Sequence, residues 1–243
     1  MKPNINIVIT GVSSGIGKQL VLNFLQHPRC NVIGISRNQH LLDELKSEAD
    51  SVFSNHRLHL IAADISTEEG IAKTETFILS ALKHVDILIN NAGMLINQPF
   101  STINFQSWRN IYSTNVFGPA QLIRALLPLL IKKETDTLSH IVNVSSIGGV
   151  QGSLKFPGLS AYSSSKSAII GLTECLAEEL KDHGIRTNAL ALGSVETEMF
   201  KSAFPQFKAS KSANEMAAFI EDFALKGAYL FNGKTIQISD STP

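Results

Sequence analysis

Thr10-Gly11-Val12-Ser13-Ser14-Gly15-Ile16-Gly17 is the stretch that decides how this chain folds. Ile5-Asn6-Ile7-Val8-Ile9 precedes it, a short segment rich in β-branched residues. Ile16 to His27 follows, with apolar residues recurring at helical spacing. A strand, a tight turn and a helix start therefore follow one another. Glycines let the backbone turn sharply and approach a ligand closely, and the helix start offers unpaired N–H groups at the positive end of a dipole. A pyrophosphate suits that environment. The spacing departs from GxGxxG, so the turn alone is also compatible with a plain glycine-rich connection.

The rest of the chain repeats the alternation. Strand-like runs lie at Val32–Ile35, Leu58–Ile61, Ile87–Ile89, Ile141–Val144, Thr187–Leu192 and Thr235–Ile238. Helical patterns occupy Ile16–His27, Gln39–Phe53, Glu68–Leu82, Phe105–Lys133, Ala161–His183 and Ala213–Phe223. Most strand runs are apolar on both faces, as parallel strands covered by helices on either side must be. Seven such strands alternating with helices predict an α/β fold with right-handed crossovers, in one domain over residues 1–243. No internal repeat or linker divides it. Two segments, Gly148–Gly158 and Glu198–Ser212, read as irregular; lying beyond strand carboxyl ends, they are expected to shape a substrate pocket.

Composition narrows the partners. In 243 residues, 21 Lys plus Arg balance 21 Asp plus Glu, so the formal net charge is zero. That removes the broad electrostatic attraction expected of nucleic-acid or anionic-membrane binding. The strongest apolar stretch, Ala125–Ile131, is too short to span a bilayer, and the N-terminal residues lack the pattern of a signal peptide. Cys30 and Cys175 form no framework and read as small buried hydrophobes in a reducing, cytoplasmic setting. The seven histidines show no metal-ligand spacing, so no metal is expected.

Polar residues gather at the strand ends. After the second strand comes Ser36-Arg37-Asn38, where an NAD-selective site would place an acidic residue; a guanidinium there suits a 2′-phosphate and favours NADP over NAD. Asp64-Ile65 follows the third strand, and Asn90-Asn91-Ala92-Gly93 the fourth. Ser145-Ser146 ends the fifth, and Tyr162-Ser163-Ser164-Ser165-Lys166 sets a phenol and an ammonium on one helical face at i and i+4. A free tyrosine titrates near ~10, and a neighbouring ammonium lowers that value toward useful acid–base behaviour.

These motifs, with Asn115-Val116-Phe117-Gly118, make the chain resemble the short-chain dehydrogenase/reductase family over essentially its whole length. The resemblance implies a doubly wound, Rossmann-type parallel sheet and a nicotinamide cofactor. It implies Tyr162 as proton donor, Lys166 as the residue that lowers the Tyr162 pKa and holds the nicotinamide ribose, Ser146 as hydrogen-bond partner of the substrate oxygen, and Asn115 as the residue that bends a helix and holds a water. Expected cofactor contacts are Gly11, Ser13, Ser14, Gly15, Ile16, Gly17, Arg37, Asp64, Ile65, Asn91, Ala92, Gly93, Tyr162, Lys166, Val195 and Thr197.

The chain departs from the family at Leu192-Gly193, where a Pro-Gly pair is usual, and at the C-terminus, Ser239 to Pro243. The expected function is NADPH-dependent reduction of a ketone or aldehyde. An NAD-dependent alcohol or sugar dehydrogenase is the alternative, and a non-catalytic nucleotide-binding scaffold the alternative of another class. Met94, Phe156 and Met199 flank the motif ends and are candidates to line the pocket. Helices Phe105–Lys133 and Ala161–His183 resemble the family's subunit-pairing helices, which implies a homodimer or homotetramer.

Overall fold

The computed structural model describes residues 4–53, 57–131 and 137–240. Its first half runs β1 (Ile5–Thr10), α1 (Gly15–Gln26), β2 (Cys30–Ser36), α2 (Gln39–Val52), β3 (Leu58–Ala62), α3 (Glu68–Ala81) and β4 (Ile87–Asn90). The second half follows with α4 (Phe105–Tyr112), a π turn (Ser113–Phe117), α5 (Gly118–Leu130), β5 (Ser139–Ser146), α6 (Ser160–Glu179) and β6 (Ile185–Leu192). It closes with β7 (Val195–Glu196), α7 (Glu198–Ala203), β8 (Lys211–Ser212), α8 (Ala213–Lys226) and β9 (Thr235–Ile238).

Seven of the strands form one parallel sheet in the order β3-β2-β1-β4-β5-β6-β9. The doubly wound α/β fold is therefore present. Each central strand feeds two cores through its alternating residues. Ile7 and Ile9 pack with Leu20, Phe24 and the α8 residues Met216 and Ile220 on one face, while Val8 packs with Ile78, Leu122 and Leu126 on the other. The chain order reverses between β1 and β4, so their carboxyl ends diverge and leave a crevice there.

Several boundaries differ from expectation. Glu198–Ser212 is ordered locally: it contains α7, and β8 pairs in parallel with β7. A ladder of two residues per strand leaves no periodic trace in a sequence. The helix expected over 105–133 is interrupted by the π turn and ends at Leu130, with 132–133 outside the described residues. Cys30 is buried, and burial pushes its thiol up to about 11. Cys175, expected to be buried, is exposed on α6, whose apolar stripe does not reach that position.

His140 marks a pH-sensitive point of the scaffold. At 1% exposure it joins β5 to β6 and α8. Its Nδ1 donates to Ala224 O at 3.0 Å, and Nε2 accepts from Asn188 Nδ2 at 3.0 Å. The Asn188 amide is itself oriented by Phe231 O and Lys234 N. A second ring proton would therefore face an N–H group, and burial opposes the charge, so the ring is held at about 4, down from 6.5. An unfolded chain protonates His140 first. The stability it contributes is complete above about pH 6.5 and is lost as pH falls toward about 4, amounting to on the order of 2 kcal/mol by pH 5. Urea denaturation of wild type and His140→Leu between about pH 7 and pH 5 should show the wild type losing stability more steeply. Parallel slopes would remove His140 as the cause.

Candidate active site

The glycine-rich turn after β1 is built by backbone geometry. Gly11 and Gly15 adopt φ of +75° and +55°, a region that side-chain-bearing residues rarely occupy. A Cβ on Gly17 would stand 2.1 Å from Gly11 O, so only glycine lets α1 begin this close to the turn. Ser14, at the N-cap of α1, makes no side-chain cap, which leaves the first N–H groups of the helix open to a ligand. Thr10 fastens the turn to β4. Its Oγ1 accepts from Asn91 N at 3.1 Å and Ala92 N at 3.0 Å, while Asn91 Nδ2 donates to Thr10 O at 2.9 Å and Gly11 O at 3.1 Å.

A cleft of about 500 Å³ opens over this junction. Every expected cofactor residue lines it except Gly17, which supports the turn from behind. At the outer end Arg37 lies 4.0 Å from Asp64 Oδ2, with the two side chains 68% and 38% exposed. Asp64 also accepts from Ser66 N and Oγ at 3.0 and 2.7 Å, which fixes the carboxylate more firmly than the arginine. The glycine cradle and the open helix start together fit the pyrophosphate of a nicotinamide dinucleotide.

Ser146, Tyr162 and Lys166 converge at the inner end of the same cleft. Lys166 is buried, and its Nζ donates to Val144 O at 2.8 Å. Ser145 Oγ donates to Lys166 O at 2.8 Å, so Ser145 is committed to the backbone. The Ser146 Oγ accepts from Gly148 N at 3.2 Å and lies near enough to the Tyr162 phenol to favour its charged form. Burial holds the Tyr162 phenol above its usual 10, with Ser146 pulling down, and burial lowers Lys166 to about 8. The lowering of Tyr162 expected from Lys166 is thus not seen here: the ammonium lies over the ring face, 5.8 Å from its centroid, and directs a proton to Val144 instead.

Asn115 does not line the cleft. It is buried in the π turn, with Oδ1 accepting from Met94 N at 2.7 Å and Nδ2 donating to Met94 O and Ser165 Oγ, each at 2.9 Å. The π turn inserts one wider turn between α4 and α5 at this position. Asn115 sits behind Gly93, whose Cβ position would be 3.7 Å from its Oδ1 and 3.6 Å from Lys166 Nζ.

The two expected substrate segments fare differently. Glu198, Met199 and Phe200 line the cleft, whereas no residue of Gly148–Gly158 does. Of the three candidate lining residues, Met199 reaches the cleft, and Met94 and Phe156 do not. Leu192 and Gly193 line it without the usual proline. Thr10, Leu95 and Thr114 were missed as site residues. Thr10 had a signal in its place directly before the turn, and the other two had none.

The chain matches the short chain dehydrogenase family over residues 5–208. It is a member of that family. The short-chain dehydrogenase described here is 34% identical over 204 residues to the rat dehydrogenase/reductase SDR family member 7B, a match covering 82% of this chain and 61% of that protein's length. It is 31% identical over 193 residues to the 3-oxoacyl-[acyl-carrier-protein] reductase FabG of Thermotoga maritima, covering 79% of this chain and 74% of the other. A short chain dehydrogenase from Escherichia coli complexed with NADPH superposes with a TM-score of 0.86 at 26% identity, covering 97% of this chain and 96% of the other.

Proposed function

We propose that the protein is an NADPH-dependent oxidoreductase that reduces a ketone or aldehyde to an alcohol. The observation that carries this reading is one continuous cleft lined by a glycine cradle and Arg37 and, at its inner end, by Ser146, Tyr162 and Lys166. Bound there, the nicotinamide supplies the hydride. This chain's residues supply position and a proton. Burial keeps the Tyr162 phenol protonated at neutral pH, which is the form that donates to a carbonyl oxygen. Ser146 holds that oxygen, since the neighbouring Ser145 is engaged with Lys166 O. Lys166 reaches toward the Gly93 side of the cleft, and Asn115 acts as a positioning residue that fixes the Met94 backbone beside it.

NADPH loss on addition of ketones and aldehydes tests the reaction; an unchanged NADPH signal with every compound would overturn it. Arg37 supports NADPH over NADH because charge-assisted hydrogen bonds to a 2′-phosphate contribute roughly 1.5–3 kcal/mol. Arg37→Asp should therefore shift the ratio of kcat/KM values toward NADH by about 10- to 100-fold. An unchanged ratio would return the choice to NADH. Phe105, which opens α4, and Phe117 in the π turn stand 77% and 57% exposed, which supports a homodimer or homotetramer.

A further inference from the structure

The inner end of the cleft is walled by apolar side chains. Leu95 comes from the β4–α4 loop, and Met199 and Phe200 come from α7. Met199 Cε lies 3.9 Å from the position a Gly93 Cβ would take, and the same point is 3.6 Å from Lys166 Nζ. Met199 therefore meets the tyrosine–lysine end, not the Arg37 end. Phe200 continues outward as a ladder. Its ring centroid is 5.4 Å from Phe204, which is 6.4 Å from the exposed Phe207. Asn97 Nδ2 donates to Ala203 O and Gln98 N donates to Gly158 O, both at 2.9 Å, tying this wall to the neighbouring loops.

Charge is distributed in the opposite sense. Among the described lining residues the cations are Arg37, beside Asp64 at the far end, and Lys166, whose Nζ is directed at Val144 O. The ionised side chain on the α7 side is Glu198, with Lys201 Nζ 3.3 Å from its carboxylate. Building on the oxidoreductase reading above, we infer that the carbonyl substrate is uncharged and bears a bulky apolar group seated against Leu95, Met199 and Phe200. Such a group gains by leaving water along this wall. A carboxylate in the same place loses its hydration, and the one lining ammonium near it, Lys166, is buried and already donates to Val144 O.

The test uses benzylacetone, the same ketone bearing a ring para-carboxylate, and the methyl ester of that acid. Two quantities are measured: kcat/KM with NADPH on the wild type, and binding to the NADPH complex of Tyr162→Phe by calorimetry. Benzylacetone and the ester should each exceed the carboxylate at least about tenfold in both. Met199→Arg, at a position 41% exposed, should narrow the ester-to-acid ratio at least about tenfold by supplying a guanidinium able to grip the carboxylate directly. A carboxylate handled as well as its ester overturns this inference and leaves the oxidoreductase reading intact. If NADPH binds but neither turnover nor binding of any ketone is seen, the oxidoreductase reading falls and this inference with it.

Discussion

Tyr162→Phe is expected to lower kcat by about 10²- to 10⁴-fold while leaving NADPH affinity in place. The substitution removes one oxygen and keeps the ring. That oxygen is the only part of Tyr162 able to pass a proton, and it shares the inner end of the cleft with Ser146. Lys166 stays anchored, because its ammonium is held by Val144 O and its backbone by Ser145, with neither bond depending on the phenol. The variant therefore separates proton donation from assembly of the site. Single-turnover absorbance with a reactive ketone, alongside fluorescence titration of NADPH, measures both. A kcat within a few-fold of wild type would sink the assignment of Tyr162 as donor.

The second large effect is expected from Gly17→Ala. A methyl group there would meet Gly11 O at 2.1 Å and Asn91 Nδ2 at 2.6 Å. Those atoms are backbone and a committed amide, so they cannot swing aside as a flexible side chain would. Relief requires either α1 to back away from the turn or Asn91 to give up its bonds to Thr10 O and Gly11 O. Overpacking of this kind costs about 1–3 kcal/mol, equivalent to a Tm lower by about 2–12 °C in a chain of this size. NADPH affinity should fall as well, because the helix start and the cradle part company. Gly171→Ala is the control: nothing stands within 4 Å of the added carbon, and alanine in that helical position should stabilise by about 0.5–1 kcal/mol. If both variants melt alike, close packing at Gly17 is not what the turn requires.

The fold was readable because parallel strands buried on both faces need apolar residues in succession. Runs such as Ile7-Val8-Ile9 and Ile87-Leu88-Ile89 announce that burial directly. The positions of Tyr162 and Lys166 were readable for a related reason: an i,i+4 pair shares a face wherever its helix lies. Their protonation was not. It depends on burial and on Val144 O, a carbonyl that no side-chain pattern specifies. The π turn around Asn115 escaped because one wider turn barely disturbs a helical hydrophobic period. α7 was missed because it is six residues long with no buried stripe of its own, and Cys175 because an exposed cysteine looks like a buried one in a sequence.

The helix that carries Tyr162 and Lys166 is bolted to the sheet at several depths. Besides the Ser145 bond to Lys166 O, Asn90 donates to Asn143, and Asn143 donates to Thr173 two turns further along α6. The wall formed by Leu95, Met199 and Phe200 belongs instead to a loop and a short helix tied at their rim by the Asn97 side chain donating to Ala203 O. With the roles proposed above, reactivity and choice of substrate sit on separate mechanical parts. Exchanging residues of the α7 wall is then expected to retune what the enzyme accepts while Tyr162 keeps its place, so a new specificity can be reached without first disassembling an old chemistry.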